Sequence, residues 1–204
     1  GFSISTYSGK TGGGTTGHGL NSEPEFIIFK RYTAAQNWFV FAKINNVWNV
    51  FEGLNTTNAA TDYSPYFSAN DSIINWYNAN EYNSDPASSY LAYCFHSVAG
   101  FSKFGSYSGT DASGNYVATG FEPAFVLIKR SIAGAGNWIL KDNKRNPTNP
   151  VTNNLYANLS NAANDVTTLS IDFNPLGFTV NGTSGDVNDA GTNNYIYMAF
   201  ANQF

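Results

Sequence analysis

The sequence has very little of the chemistry on which disulfide-bonded proteins, metal proteins and many enzymes depend. Its 204 residues include one cysteine, one methionine and two histidines. The single cysteine, Cys94, excludes an internal disulfide and any metal site built from several thiolates. Only 12% of the residues are charged, and 10 Lys and Arg stand against 14 Asp and Glu. Because a nucleic-acid-binding face needs clustered cations, we expect no nucleic-acid partner.

Long apolar segments are also missing. No apolar run approaches the roughly 20 residues of a membrane span, so we expect no membrane insertion. Since the chain begins at Gly1 and its only methionine is Met198, we expect a processed chain or an excised domain. Apolar residues make up 42% of the sequence and aromatic residues 16%. This content is enough for a buried core, so the low charge does not indicate disorder.

The sequence contains two copies of one pattern. Each copy opens with Gly-Phe-Ser and Tyr-Ser-Gly, continues with Glu-Pro and an apolar run ending in Lys-Arg, and closes on an aromatic-rich run after an Asn-Trp pair. The segments are Gly1–Ser3, Tyr7–Gly9, Glu23–Arg31, Asn37–Trp38 and Tyr90–Phe95, then Gly100–Ser102, Tyr107–Gly109, Glu122–Arg130, Asn137–Trp138 and Tyr195–Phe200. Their matching order predicts a tandem duplication of a unit of about 100 residues, repeat 1 at 1–99 and repeat 2 at 100–204.

The repeated apolar runs have the composition of β-strands. Phe26–Phe29 and Phe125–Ile128 are short runs of β-branched and aromatic residues, bounded by turn-forming Gly, Asn, Ser and Pro. No window has a helical period over ten or more residues. The pattern predicts an all-β protein, a β-sandwich of jelly-roll or lectin-like type. We expect one sandwich domain over 1–204 with the repeats related by a pseudo-twofold axis, because one loop-rich copy would have only a thin core.

Several repeated or reactive residues have structural interpretations. Trp38 and Trp138 recur in both copies, which favours core packing, and the two Lys-Arg pairs are typical of solvated strand ends. Cys94 and His96 share a strand face and could form a nucleophilic pair, but a buried, inert Cys94 is favoured. His18 could serve as a base, although no serine has the flanking glycines of a nucleophile elbow.

Catalysis and metal binding have weak support. Asp62, Asp71, Glu81 and Asp85 could supply the paired carboxylates of a glycosidase, but nothing in the sequence sets their separation. The segment 186–191 alternates oxygen ligands as a calcium loop does, yet Ala190 and Tyr197 stand where that pattern needs ligands, so an Asx turn is favoured. We therefore expect no enzyme, no cofactor and no metal.

An aromatic, Asn-rich insert at residues 62–85 is the best binding candidate. Tyrosine and tryptophan faces pack on the apolar side of a sugar ring, and Asn side chains hydrogen-bond its hydroxyls. The alternative is that Trp76 and its neighbours seal the insert onto the core. The predicted ligand-binding residues are Tyr63, Tyr66, Trp76, Tyr77, Asn78, Asn80 and Tyr82.

With the repeat in place, the chain resembles a domain common in tail fibre and structural proteins of tailed bacteriophages, particularly those of marine and cyanobacterial hosts. The resemblance is carried by Gly1–Gly9, Gly17–Leu20, Pro24–Arg31, Gly100–Gly109 and Tyr195–Ala201. It covers essentially the whole chain, and this sequence departs from it at residues 60–86. The resemblance implies an extracellular virion component, with other virion proteins and copies of itself as partners, and it supplies no catalytic residues.

Three hypotheses follow. The leading one is a non-enzymatic virion surface protein, tail fibre or tail-associated, that attaches to bacterial surface glycan through the insert. The second is a structural or decoration protein that makes only subunit contacts. The third is a glycan depolymerase, which would release sugar ends from host polysaccharide.

Overall fold

The computed structural model describes residues 1–77, 82–132, 136–190 and 194–202. Over these residues the protein is all-β, with one short 3-10 turn at Thr167–Leu169 and no α-helix. This confirms the all-β part of the predicted fold class. It also confirms the strands predicted from the two apolar runs, which become Phe26–Arg31 and Pro123–Arg130.

The chain divides into two compact units. Unit 1 comprises residues 1–54 and 60–96, and unit 2 comprises residues 55–59 and 97–204. In unit 1 a six-stranded antiparallel sheet has the order β1-β9-β3-β4-β5-β6, and a three-stranded sheet has the order β2-β8-β7. The strands are β1 (Phe2–Ser8), β2 (Gly14–Gly17), β3 (Phe26–Arg31), β4 (Phe39–Ile44), β5 (Val47–Phe51), β6 (Ala60–Asp62), β7 (Phe67–Ala69), β8 (Ile73–Trp76) and β9 (Ser89–Phe95).

Unit 2 also has one six-stranded and one three-stranded antiparallel sheet. Their orders are β10-β18-β12-β13-β14-β15 and β11-β17-β16. Each order is that of unit 1 with every strand replaced by the strand nine positions later. The strands are β10 (Ser102–Ser108), β11 (Asn115–Ala118), β12 (Pro123–Arg130), β13 (Trp138–Asp142), β14 (Asn153–Tyr156), β15 (Asn164–Asp165), β16 (Ile171–Asn174), β17 (Gly177–Val180) and β18 (Asn194–Ala201).

Each unit has its own hydrophobic core. In β9 the buried residues alternate, so Tyr90, Ala92 and Cys94 point to one side of the sheet. Ala92 and Cys94 join a core cluster to which the small sheet contributes Phe67 and Trp76. In unit 2 the corresponding cluster combines residues of both sheets, among them Val126, Ile128, Tyr197, Phe178 and Val180. This face-to-face arrangement of two antiparallel sheets is consistent with a β-sandwich. The predicted single sandwich over 1–204 with a pseudo-twofold axis stays a prediction.

The arginines of the repeated Lys-Arg pairs are held by carboxylates. In unit 1 the Arg31 guanidinium forms an ion pair with Asp85 and donates to Ser88 Oγ at 2.8 Å. In unit 2 Arg130 Nη2 lies 3.0 Å from Asp189 Oδ2. The prediction that these strand ends carry solvated cations is therefore wrong for the arginines. Each arginine instead ties the end of a central strand to the loop that precedes β9 or β18.

Candidate functional site

Three tyrosines lie together on the surface of unit 1, and we call Tyr63, Tyr66 and Tyr77 the tyrosine platform. Tyr66 is 46% exposed and Tyr77 is 57% exposed, while Tyr63 is half-buried. The Tyr63 and Tyr66 ring centroids are 5.3 Å apart. The Tyr77 backbone N–H donates to the Tyr66 carbonyl at 3.0 Å, and the Tyr77 hydroxyl lies 2.9 Å from Ser68 Oγ. These contacts hold two exposed rings on adjacent chain segments.

The platform follows from the alternation of side chains along β7 and β8. Phe67 pairs with Trp76 at the end of this ladder, and both side chains are buried in the core. Tyr77 follows Trp76 on extended chain and its hydroxyl lies beside Ser68 Oγ, so its side chain points to the opposite side from Trp76. Tyr66 is the last residue of the turn before β7, and its exposed ring lies beside Tyr63.

A row of polar side chains continues from the platform across the outer face of the small sheet. Thr15, Asn75 and Ser68 lie opposite one another on β2, β8 and β7. Their neighbour Ile74 is fully buried in the core, so the three side chains point outward. Thr15 is exposed, whereas Asn75 and Ser68 are half-buried. The surface therefore combines aromatic rings with neutral hydrogen-bonding groups.

The other predicted binding residues lie elsewhere. Trp76 and Tyr82 are each only 4% exposed and belong to the core of unit 1. The Tyr82 ring lies 5.0 Å from Phe41 and 5.3 Å from Phe39 between ring centroids. Ligand contact by these two rings would require the core to open, so Trp76 and Tyr82 have a structural role. This agrees with the alternative that Trp76 and its neighbours seal the insert onto the core. Asn78 and Asn80 lie outside the described residues.

A polar cleft that sequence reasoning missed lies on unit 1. It has a volume of about 610 Å³ and is lined by Arg31, Ala35, Gln36, Asn37 and Ser84. Trp38, which follows Asn37 in sequence, is 38% exposed. The Lys30 ammonium lies 5.4 Å from the centroid of the Trp38 ring. The prediction of core packing is therefore wrong for Trp38. Trp38 lies immediately before β4 begins at Phe39, outside the sheet.

The equivalent residues of unit 2 are buried. Trp138 is 1% exposed, which confirms core packing for this tryptophan. Lys129 is also fully buried, so the prediction of a solvated cation is wrong here. Its ammonium donates to the carbonyl oxygens of Thr57 at 3.1 Å and Gly136 at 2.9 Å. Burial lowers the pKa of Lys129 to about 8, against the opposing influence of Asp186.

A second buried lysine lies in the core of unit 2. Lys141 on β13 is fully buried, and its ammonium donates to the carbonyl oxygens of Val151 and Thr152 at 3.1 and 3.2 Å. Burial lowers the pKa of Lys141 to about 7, and the positive charge of Arg145 lowers it further. Two backbone carbonyls therefore accept from the Lys141 ammonium inside unit 2, which is a structural role.

The candidate nucleophile and bases have structural partners. His18 is fully buried; its Nδ1 accepts from the Leu20 backbone N–H at 3.1 Å, and its Nε2 lies 3.0 Å from the Asn70 carbonyl oxygen. Cys94 is fully buried, which confirms the structural interpretation, and burial raises the pKa of its thiol to about 12. His96 Nδ1 lies 2.8 Å from the Glu23 carbonyl oxygen. A thiol with this pKa is a poor nucleophile at neutral pH.

The candidate carboxylates are used in turns and ion pairs. Asp62 accepts from the backbone N–H and the hydroxyl of Ser64, which lower its pKa. The hydroxyl of Ser88, the Ala87 N–H and the Arg31 charge likewise lower the pKa of Asp85. Both groups therefore favour the ionised form, which a general acid must avoid. Glu81 lies outside the described residues.

The segment proposed as a faint calcium loop is a hydrogen-bonded turn in the described part of the chain. Asn188 is fully buried, and its Oδ1 accepts from the Thr110 N–H at 3.0 Å and from Asn115 Nδ2 at 2.9 Å. Its Nδ2 donates to the carbonyl oxygens of Ala112 and Gly182. Over residues 1–77, 82–132, 136–190 and 194–202, no group of three or more His, Cys, Asp and Glu side chains could hold a metal ion. In the same ranges no helix is long and apolar enough to cross a membrane.

The sequence of the whole chain matches one family model. The model is described as Domain of unknown function (DUF7483), and the match covers residues 1–203. The chain belongs to this family. No curated protein and no solved structure matches the chain. The family description assigns no activity, so the functional argument depends on the surface chemistry of the two units.

Proposed function

We propose that this chain is a non-enzymatic, extracellular surface protein of a tailed-bacteriophage virion, and that its tyrosine platform contacts bacterial surface glycan. The observation that carries the glycan part is the pair of exposed tyrosines, Tyr66 and Tyr77, on adjacent segments joined by a backbone hydrogen bond, with the Tyr77 hydroxyl next to Ser68. The virion part is supported by the resemblance of both copies to tail fibre and structural proteins of tailed phages.

The chemistry of the platform suits a neutral, hydroxylated ligand. A tyrosine ring presents an apolar face to the C–H groups of a sugar ring, and its hydroxyl donates and accepts hydrogen bonds. Thr15, Asn75 and Ser68 add uncharged donors and acceptors in a row beside the rings. Because the Tyr77 hydroxyl is held by Ser68 and the Tyr66 ring packs on Tyr63, less side-chain freedom is lost on binding than with isolated surface rings.

We also propose that the two units are copies of one duplicated β-sandwich module. The support is the identity of strand order in the two units, β1-β9-β3-β4-β5-β6 against β10-β18-β12-β13-β14-β15. The modules differ on the outer face of the small sheet. Where unit 1 has Thr15, Asn75 and Ser68, unit 2 has Tyr116, Thr179 and Asp172. This divergence on a common scaffold is typical of a surface adapted to a ligand in one copy.

The test is binding of the purified chain, displayed on a multivalent bead, to surface polysaccharides isolated from candidate host bacteria. Multivalent display is needed because single glycan contacts are weak. Tyr66→Ala and Tyr77→Ala should each lower binding at least about tenfold, the effect of losing about 1.4 kcal/mol of contact energy. Tyr116→Ala is the matched control, since Tyr116 is an exposed tyrosine on the small sheet of unit 2.

Binding that survives both platform substitutions would contradict the proposed site. Absence of binding to all polysaccharides and to intact cells, by a folded and displayed chain, would favour a structural or decoration protein. New reducing ends released from a polysaccharide would instead identify a depolymerase and contradict the non-enzymatic assignment.

A further inference from the structure

Two loops of the chain share one sequence pattern and five of eight residues. Residues 55–62 read Asn-Thr-Thr-Asn-Ala-Ala-Thr-Asp, and residues 158–165 read Asn-Leu-Ser-Asn-Ala-Ala-Asn-Asp. The first connects β5 to β6 and the second connects β14 to β15, which are equivalent strands under the shift of nine. Both loops start alike, because the Leu54 N–H donates to the Trp38 carbonyl and the Ala157 N–H donates to the Trp138 carbonyl.

The first loop has a docking role within unit 2, to which residues 55–59 belong. The Thr57 carbonyl oxygen accepts from the Lys129 ammonium at 3.1 Å and from the Gly136 backbone N–H at 3.1 Å. The Lys129 ammonium in turn lies 6.0 Å from the centroid of the Trp138 ring. The loop backbone is therefore bonded to a lysine–tryptophan pair, and both members of this pair are fully buried.

Unit 1 has an equivalent lysine–tryptophan pair, Lys30 and Trp38, whose tryptophan is not buried. Lys30 donates to the carbonyl of Gln36, just as Lys129 donates to the carbonyl of Gly136. The Lys30 ammonium lies 5.4 Å from the Trp38 ring centroid. Trp38, however, is 38% exposed where Trp138 is 1% exposed. The cleft of about 610 Å³ lined by Arg31, Gln36 and Asn37 adjoins this pair.

The second loop is available for a contact of this kind. Ser160, Asn161 and Ala162 are exposed, and the Leu159 side chain is 41% exposed. Ser160 is the equivalent of Thr57, which is half-buried in its contact with Lys129. The chain therefore has a loop at residues 55–59 bonded to Lys129, and an exposed loop of the same sequence pattern at residues 158–162. It also has an exposed Lys30–Trp38 surface equivalent to the one that the first loop contacts.

We propose that the exposed loop 158–162 of one chain docks on the Lys30–Trp38 surface of a second copy of this chain. The Ser160 carbonyl takes the place that the Thr57 carbonyl has in unit 2, accepting from Lys30. The contact joins two different surfaces, so it is heterologous and head-to-tail. Repetition of such a contact produces a closed ring or an open filament rather than an isologous dimer.

Sedimentation velocity over a range of chain concentrations up to about 1 mM tests this contact. A loop tethered within its own chain acts at an effective concentration of that order, so separate chains are compared at a similar concentration. The wild-type chain should form species larger than a dimer. Trp38→Ala removes the exposed ring, and Leu159→Arg places a cation against Lys30; each variant alone should stay monomeric. Leu176→Arg and Tyr116→Ala change exposed residues on turns or strands of unit 2 and should associate as the wild type does.

Mixing the two disabled variants distinguishes this contact from other kinds of association. Trp38→Ala retains the loop and Leu159→Arg retains the surface, so their mixture should form a 1:1 complex and nothing larger. Circular dichroism establishes that both variants are folded. A wild-type chain that is monomeric at about 1 mM would overturn the proposal, and so would association that neither substitution reduces. A mixture that does not assemble would exclude a heterologous contact.

Discussion

The ring of Tyr7 stacks on the ring of Tyr90 with their centroids 5.3 Å apart and their planes 13° from parallel. Tyr107 stacks on Tyr195 in the same way in unit 2, at 5.0 Å and 15°. The Tyr7 hydroxyl donates to the Tyr82 carbonyl, and the Tyr107 hydroxyl donates to the Val187 carbonyl. The tyrosine of the repeated Tyr-Ser-Gly motif therefore joins the edge strand, β1 or β10, to the loop that precedes β9 or β18.

The glycine of this motif should not tolerate a side chain. A Cβ on Gly9 would lie too close to the Asp85 carbonyl, and one on Gly109 too close to the Asp189 carbonyl. Because both obstacles are backbone, we expect Gly9→Ala and Gly109→Ala each to destabilise the protein by about 1–3 kcal/mol in urea unfolding. Gly17→Ala is the control, since its nearest neighbour would be 3.9 Å away. Equal stability of Gly9→Ala and Gly17→Ala would contradict the assignment.

Trp76 and Tyr77 should separate stability from binding. Trp76→Ala removes a buried ring from the core of unit 1, so we expect a loss of about 3–5 kcal/mol of unfolding free energy. Tyr77→Ala removes an exposed ring, so stability should change by about 0.5 kcal/mol or less while glycan binding falls. Thermal unfolding and polysaccharide binding, measured on both variants, check this. A Tyr77→Ala variant that unfolds as readily as Trp76→Ala would show that the platform is structural.

Lys141 should make stability depend on pH. Its pKa is about 7 in the folded protein and about 10.5 when exposed in the unfolded chain. Between these values the unfolded chain binds more protons, so the stability of the wild type relative to Lys141→Met should rise with pH. The slope should reach at most about 1.4 kcal/mol per pH unit, and it should vanish below about pH 6, where both states are protonated.

Urea unfolding of the wild type and Lys141→Met at pH 6, 7, 8 and 9 measures this difference. Subtraction cancels the contributions of other groups, including Lys129 and Cys94. Lys144→Met is the matched control, because it removes an exposed lysine near in sequence rather than a buried one. A flat difference for Lys141→Met would mean that its ammonium is solvated in the folded protein.

Cys94 should be protected from thiol reagents until the protein unfolds. Burial raises the pKa of the thiol to about 12, and the side chain has no exposed surface. At pH 8 we expect modification by a disulfide reagent to proceed at the rate of protein opening, and to accelerate in urea. Rapid modification of the native protein would instead restore Cys94 and His96 as a candidate nucleophilic pair.

The strands were predictable because their sequence signal is local. Phe26–Phe29 and Phe125–Ile128 are apolar runs bounded by proline and cations, and such runs specify strands with little help from the rest of the chain. The pairing of β1 with β9 and of β10 with β18 was less accessible, because these strands are about 90 residues apart in sequence. Composition carries no information about which distant strands meet.

The binding residues were predictable only in part, because composition does not specify which side of a sheet each side chain points to. Trp76 and Tyr77 look equivalent in a list of aromatics, yet as neighbours on extended chain they must point to opposite sides. Applying that alternation to the sequence would have assigned one of them to the core. The different fates of Trp38 and Trp138 had no such signal, since the Lys-Arg and Asn-Trp motifs around them are the same. In unit 2 the Lys129 ammonium near Trp138 is bonded by the Thr57 carbonyl, which lies on a loop remote in sequence from β12.

The membership of residues 55–59 in unit 2 has a consequence for any attempt to divide the protein. No single cut of the backbone releases unit 2 whole, since a fragment that starts at Ser97 lacks the Thr57 carbonyl, one of the two carbonyls that accept from Lys129. In such a fragment the Lys129 ammonium retains a donor that is no longer bonded to residue 57. A short synthetic peptide with the sequence of residues 53–60 should therefore bind to the fragment.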